Sequence, residues 1–335
     1  MERNMADIIN PNYNPLLEIN TSFKAYLDAR TRTYTDHIIS AGRLDYAYDG
    51  DFAMRSRINT VPGWSKLYKA ITSSDIPNRF KRLFRTSDIA SSVCYTSVFK
   101  AADVCSRRMQ VPVPPVLIRK SSVPEIYSLA GEGLESCIVL SSSIAEMCGP
   151  NELCYLIGCE LGRLQNRHTA YNYAFTYPGI KRGGNHDDRS RDDPLSENAL
   201  LSYNLNRWLC AADITADRAG IICLEKPSDF AEVFASIRRK SIPDSFGDFN
   251  TELDLHDILK RYETFHTTPI RSLEFSEDLP QDERRIFAGL EFTACEILYS
   301  WRPDLDSSEF HIATGQTLEI RCEALMGMDA DHISD

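Results

Sequence analysis

Between Gly149-Pro150 and Asn166 the chain places Leu153, Leu156, Ile157, Leu161 and Leu164 at three- and four-residue spacings, the pattern of one helix with a wide apolar stripe. A proline near the start and Glu152 in the first turn suit a helix N-terminus. A stripe of this kind has to be buried, and the helix carries Cys159, Glu160 and Arg163 with it. Cys159 and Arg163, four residues apart, project together from a neighbouring face with Glu160 beside them. Either Arg163 points to solvent, or it is buried and must be paired, because an isolated buried charge is very costly. A second long helix, about 196–224, offers the partners. Ser196 caps it, Leu201, Leu205, Trp208 and Ala212 form its buried stripe, and Asp213 and Asp217 share one face.

Around these two helices the chain reads as an α+β fold, mostly helical, with no internal repeat. Residues 15–40 carry a loose helical pattern, and a second helical stretch over 50–72 is interrupted by a turn at Val61-Pro62-Gly63. From Ser87 a longer helix is expected, capped by Ser87 or Asp88 and burying Ile89, Val93, Ala101 and Val104. Three short apolar runs follow, near 112–120, 126–130 and 136–141; they predict a small sheet whose last two strands form a hairpin through Gly131-Glu132-Gly133. The polar, glycine-rich segment 178–194 reads as a mobile surface loop. Helices are expected over Phe230–Lys240 and within 280–301.

The longest apolar runs, such as 219–224, fall far short of the roughly 20 residues of a spanning helix, and the first residues lack the layout of a signal peptide. Ten cysteines without a CxxC pair read as reduced thiols in a cytoplasmic protein. A net charge of −11 argues against nucleic acid or anionic membrane as a partner.

Five segments, in order, resemble the HtpX-like and CAAX-prenyl-protease-like gluzincin metallopeptidases. They are Cys137–Met147, the core Cys159-Glu160-Leu161-Gly162-Arg163 with its Asn151-Glu152-Leu153 start, Asn166-Arg167-His168-Thr169, Trp208–Gly220, and His266–Arg271. The resemblance implies a zincin-like catalytic domain over 51–275, with a small sheet beside the active-site helix, a helical extension at 1–50 and a helical extension with an acidic tail at 276–335. It also implies that Cys159 and Arg163 stand where an HExxH helix holds two zinc-binding histidines, Asp213 where the third ligand belongs, Glu160 at the general base, and Asp217 and His168 at supporting positions. Strand 136–141 would be the edge along which an extended peptide pairs.

Zinc needs donors with a lone pair and an open position for water. A guanidinium has no lone pair to give and repels a dication, so no metal and no other cofactor are expected. Three functions remain: an inactive pseudopeptidase that binds a peptide or protein; an active zinc endopeptidase with Glu160 as base and ligands such as Cys159, Asp213 and His168 or His266; or another reaction in the same cavity using Glu160 and Cys159. The His186-Asp187-Asp188 run reads as solvated loop.

Overall fold

The computed structural model describes residues 35–39, 42–177, 197–240, 253–275, 279–305 and 312–327. Most of the helical pattern read over 15–40 lies outside the described residues, and its described end, Thr35–His37, is a 3-10 turn; the loop 178–194 with its His186 run, the Ser196 cap and the acidic tail also lie outside them. Helix α1 (Asp49–Thr60) and α2 (Trp64–Ala70) are separated at Val61–Gly63, where Gly63 takes a φ of 81°, a left-handed conformation that favours glycine. A π-helical turn, Ile71–Asp75, leads into α3 (Ile76–Thr86).

No helix starts at Ser87. Asp88–Ile89 is a short strand, β1, antiparallel to β2 (Val116–Arg119), and α4 runs only from Thr96 to Arg108. Of the residues expected on one buried face, Ala101 is buried, whereas Ile89 and Val93 are 44% and 90% exposed. The apolar spacing suits a helix, but the backbone of β2 would otherwise present an open edge, and β1 covers it.

The sheet is completed by β3 (Ile126–Leu129) and β4 (Cys137–Ser141) in the order β1-β2-β4-β3, with β2 and β4 parallel and β3 antiparallel to β4. Strand β4 is therefore interior, and all five of its residues are buried. This corrects the expected edge at 136–141: among the described residues the outer strands are β1 and β3, because β2 comes to lie along the other side of β4. The Glu125 carbonyl accepts from the Ser141 N–H at 2.9 Å. In an antiparallel ladder that register turns the backbone groups of Tyr127 and Leu129 toward β4 and those of Ile126 and Ser128 outward.

Helices α5 (Ser142–Met147), α6 (Pro150–Gln165), α7 (Thr169–Phe175), α8 (Glu197–Cys223), α9 (Phe230–Arg239), α10 (Leu255–Thr267), α11 (Gln281–Thr293), α12 (Glu296–Trp301) and α13 (Gly315–Met326) follow. No helix among the described residues is long and apolar enough to cross a membrane. The centre of the fold is the α6–α8 pair. A Cβ added to Gly162 would lie 2.4 Å from the Ala219 Cβ, and one on Gly158 would lie 2.7 Å from the Cys223 Cβ, so the two backbones approach more closely than side chains permit. One apolar cluster extends from Leu44 to Met326 around this pair. A second, with Trp208, Leu205 and Leu201, fills the space between α8, α1 and the opposite face of the sheet.

Candidate functional site

The close α6–α8 packing brings Cys159, Glu160 and Arg163 against Asp213 and Asp217. Arg163 Nη2 donates to Asp213 Oδ1 at 2.6 Å, and its Nε lies 3.4 Å from Glu160 Oε1. From α11, Arg285 joins the same face of α8. It donates to both oxygens of Asp217, at 2.8 and 2.7 Å, and its Nη1 lies 3.9 Å from Asp213 Oδ2. Tyr155 on α6 donates its hydroxyl to Asp217 Oδ1 at 2.6 Å. The result is a buried chain of alternating charges, Glu160–Arg163–Asp213–Arg285–Asp217. Arg163 and Asp213 are both buried, as is every other member.

Burial sets the protonation of this cluster. It lifts Glu160 above the usual carboxylate range despite the nearby Arg163 charge and the Ser128 amide and hydroxyl. No hydrogen bond to Glu160 Oε2 or Ser128 Oγ is formed, and both atoms stay buried and unsatisfied. Asp217 is likewise lifted by burial against the pull of Arg285. Burial works against the Arg163 charge, but Asp213 and Glu160 outweigh it and hold the guanidinium above its usual range. The Cys159 thiol is pushed well up, by burial first and Asp217 second, so burial disfavours its thiolate form.

His168 and His266, the imidazoles considered as further ligands, are turned to other partners. His168 is fully buried, with Nε2 2.8 Å from Asp51 Oδ2. Its Nδ1 is buried without a partner, which suits a neutral ring that donates from Nε2. Burial depresses its pKa in the same sense. Asp51 also accepts from Arg55 (3.0 Å), Trp208 (2.8 Å) and Thr215 (2.9 Å), tying α1 to α8. His266, at the end of α10, pairs with Glu291 at 2.9 Å.

A cleft of about 290 Å³ opens over Cys159, Glu160 and Arg163, walled by β3, α7 and α9. Among the described residues, no three His, Cys, Asp or Glu side chains converge to hold a metal ion. The donor set explains why zinc does not suit the place: the candidate positions offer one protonated thiol, one guanidinium and one carboxylate already bound by that guanidinium.

Sequence reasoning pointed to Glu160, Arg163, Asp213 and Asp217, but missed Arg285, Asp51 and Ser128. A signal for the first two does exist, since Arg285 adjoins the buried Ile286 and Asp51 lies one turn from the buried Met54 and two from the buried Ile58. A charge on an apolar helical stripe demands a partner. Ser128 gives no such signal, because only the sheet order exposes its backbone edge.

Among proteins of known name, the plastoglobule-localized metallopeptidase 48, chloroplastic, of Arabidopsis thaliana is 23% identical over 202 residues, covering 58% of this chain and 55% of that protein. The chain thus spans about half the length of the relative it matches. No family model and no solved structure matches. The likeness supports a metallopeptidase-like family and no finer grouping.

Proposed function

We propose that this chain is a pseudopeptidase: a metallopeptidase-like protein of the gluzincin type in which Arg163 takes the place of a metal ion, so that the cleft binds a peptide or protein without cleaving it. The observation that carries this reading is the 2.6 Å ion pair from Arg163 to Asp213, which sets a permanent positive charge between the two helices. Glu160 remains at the position of a general base. A guanidinium, which cannot activate water as a metal ion would, stands beside it with Nε 3.4 Å from Oε1, and this leaves it idle as a base.

The free edge of β3 supports the binding half of the reading. Its outward backbone groups at Ile126 and the outward Ser128 carbonyl flank the cleft, and an extended segment added there would extend the sheet. Ten free thiols suit a reducing compartment such as the cytoplasm, although the relative's name places that protein in the chloroplast.

Elemental analysis of the purified protein, together with a casein-cleavage assay, tests the inactive half. Less than a tenth of a zinc per chain and no turnover are expected, on the order of trace binding. One zinc per chain that is lost with Asp213→Ala, or chelator-sensitive cleavage that disappears in Glu160→Gln, would overturn it.

A further inference from the structure

Four arginines and two glutamates line the cleft: Arg79, Arg163, Arg238, Arg285, Glu125 and Glu160. Most of these charges are matched within the protein. Arg163 faces Asp213 and Glu160, Arg285 faces Asp217, Arg238 donates to Asp282 at 2.8 Å, and Glu125 pairs with Arg119. Arg79, on α3, is different. It has no ion pair among the described residues, its Nε is buried without a partner, and its one hydrogen-bonding neighbour is the Tyr127 side chain. What holds it is aromatic: its guanidinium carbon lies 4.4 Å from the ring centre of Tyr127 and 5.7 Å from that of Tyr173.

Packing on aromatic rings occupies the faces of a guanidinium and leaves its in-plane N–H donors unused. Those donors match the two oxygens of a carboxylate. We propose that the cleft takes a carboxylate-bearing ligand, with Arg79 between Tyr127 and Tyr173 as the counter-ion.

Four further polar atoms on the wall narrow the chemistry. Ser128 Oγ, Thr169 Oγ1, Asn172 Oδ1 and Glu160 Oε2 are buried with no hydrogen-bond partner, and each costs stability until something fills it. Asn172 Oδ1 can only accept. A bare anion would leave Asn172 Oδ1 unsatisfied, whereas a ligand that carries amide N–H groups beside its carboxylate would serve both it and Arg79. A peptide with an acidic side chain or a free carboxyl terminus has that chemistry. The choice of a peptide rests on the binding role proposed above; the carboxylate preference does not.

Calorimetric titration of the full chain with acetylated apolar pentapeptides separates the possibilities. One has a free carboxyl terminus, one is amidated with a central glutamate, and one is amidated and carries no acid. Hexanoate serves as a carboxylate without a peptide. At least one acid-bearing peptide should bind about tenfold more tightly than the neutral one, and which one does so identifies the source of the carboxylate. Arg79→Gln should abolish that preference and retain the far-UV circular dichroism of the parent. Equal affinity for acid and neutral peptides, or a preference that survives Arg79→Gln, overturns the carboxylate inference and leaves the peptide reading standing. Arg79-dependent binding of hexanoate without binding of any peptide does the reverse. Binding of none of the four overturns both. If Arg79→Gln does not fold, phenylglyoxal labelling of the parent protein decides: the acid-bearing peptide should protect Arg79, and absence of protection overturns the inference.

Discussion

Arg285 grips Asp217 with two parallel hydrogen bonds, Nε to Oδ2 at 2.8 Å and Nη2 to Oδ1 at 2.7 Å, across 68 residues of sequence. Asp213, one turn earlier on α8, takes its own guanidinium from Arg163 on α6. Two adjacent carboxylates of one helix are thus held by arginines from two others, and the buried charges join α6, α8 and α11.

Removing one partner of such a pair leaves the other charge buried and uncompensated. Arg163→Ala should therefore destabilise the fold by about 3–5 kcal/mol, whereas Arg163→Met combined with Asp213→Leu should cost far less, since both charges leave together. Urea unfolding of the two single variants and the double variant measures the coupling. Additive losses would mean that the pair contributes nothing as a pair.

The close approach of α6 and α8 makes a second prediction. Gly162→Ala forces a methyl to 2.4 Å from the Ala219 Cβ, and overpacking of this kind costs about 1–3 kcal/mol. The matching change Ala219→Gly should recover most of the loss. Thermal denaturation checks this, and a Gly162→Ala protein as stable as the parent would show that the helices are further apart.

The pair His168 and Asp51 predicts a pH dependence. Burial depresses His168 below its usual range, so between that depressed value and about pH 6.5 the unfolded chain binds a proton that the folded chain refuses. Asp51 is pushed up by burial, but the neighbouring His168 and Arg55 and the Trp208 donor outweigh this and hold it well below the usual carboxylate range. Its stabilisation is complete above about pH 4 and declines as pH falls further. The melting temperature should thus fall as pH drops from about 7 to 5, and fall again below about 4. His168→Gln, which can still donate to Asp51, should flatten the first decline and keep the second. An unchanged slope between pH 7 and 5 in that variant would count against the buried neutral imidazole.

Replacing the arginine should reopen the place to metal. Cys159→His with Arg163→His and Asp213→Glu creates two imidazoles four residues apart on α6 and a longer carboxylate on α8. Arg285, whose Nη1 lies 3.9 Å from Asp213 Oδ2, stays as a residual positive charge. The triple variant is expected to bind zinc at micromolar concentrations, on the order of structural sites weakened by that charge, and to gain thermal stability from it, with no casein cleavage. Adding Arg285→Gln should tighten binding. A folded triple variant that takes up no zinc in either background would show that the two helices do not present these positions to one centre.

How much of this was legible beforehand depended on the range of the interaction. Leu153, Leu156, Ile157 and Leu161 repeat every three or four residues, as do Leu201, Leu205, Trp208 and Ala212, and all eight are buried. A helical period records within a few residues which face turns inward, so α6 and α8 could be placed from the chain alone. Glu160 and Arg163, or Asp213 and Asp217, could be seen as charges on elements that bury themselves. Their pairing could be stated as a need but not as a geometry. Which carboxylate meets Arg163, and that Arg285 arrives from α11, depend on how helices distant in sequence pack, and no local pattern encodes that. The same holds for the sheet. Apolar runs marked three strands, but only the parallel alignment of β2 with β4 put β4 inside and β3 at the edge, and only the open side of β2 drew Asp88–Ile89 out of a helical pattern into a strand. Strand order is settled by hydrogen bonds that any sequence can make, since every residue but proline carries the same donor and acceptor. The side chains determined which segments are buried, and the tertiary packing decided which neighbours they meet there.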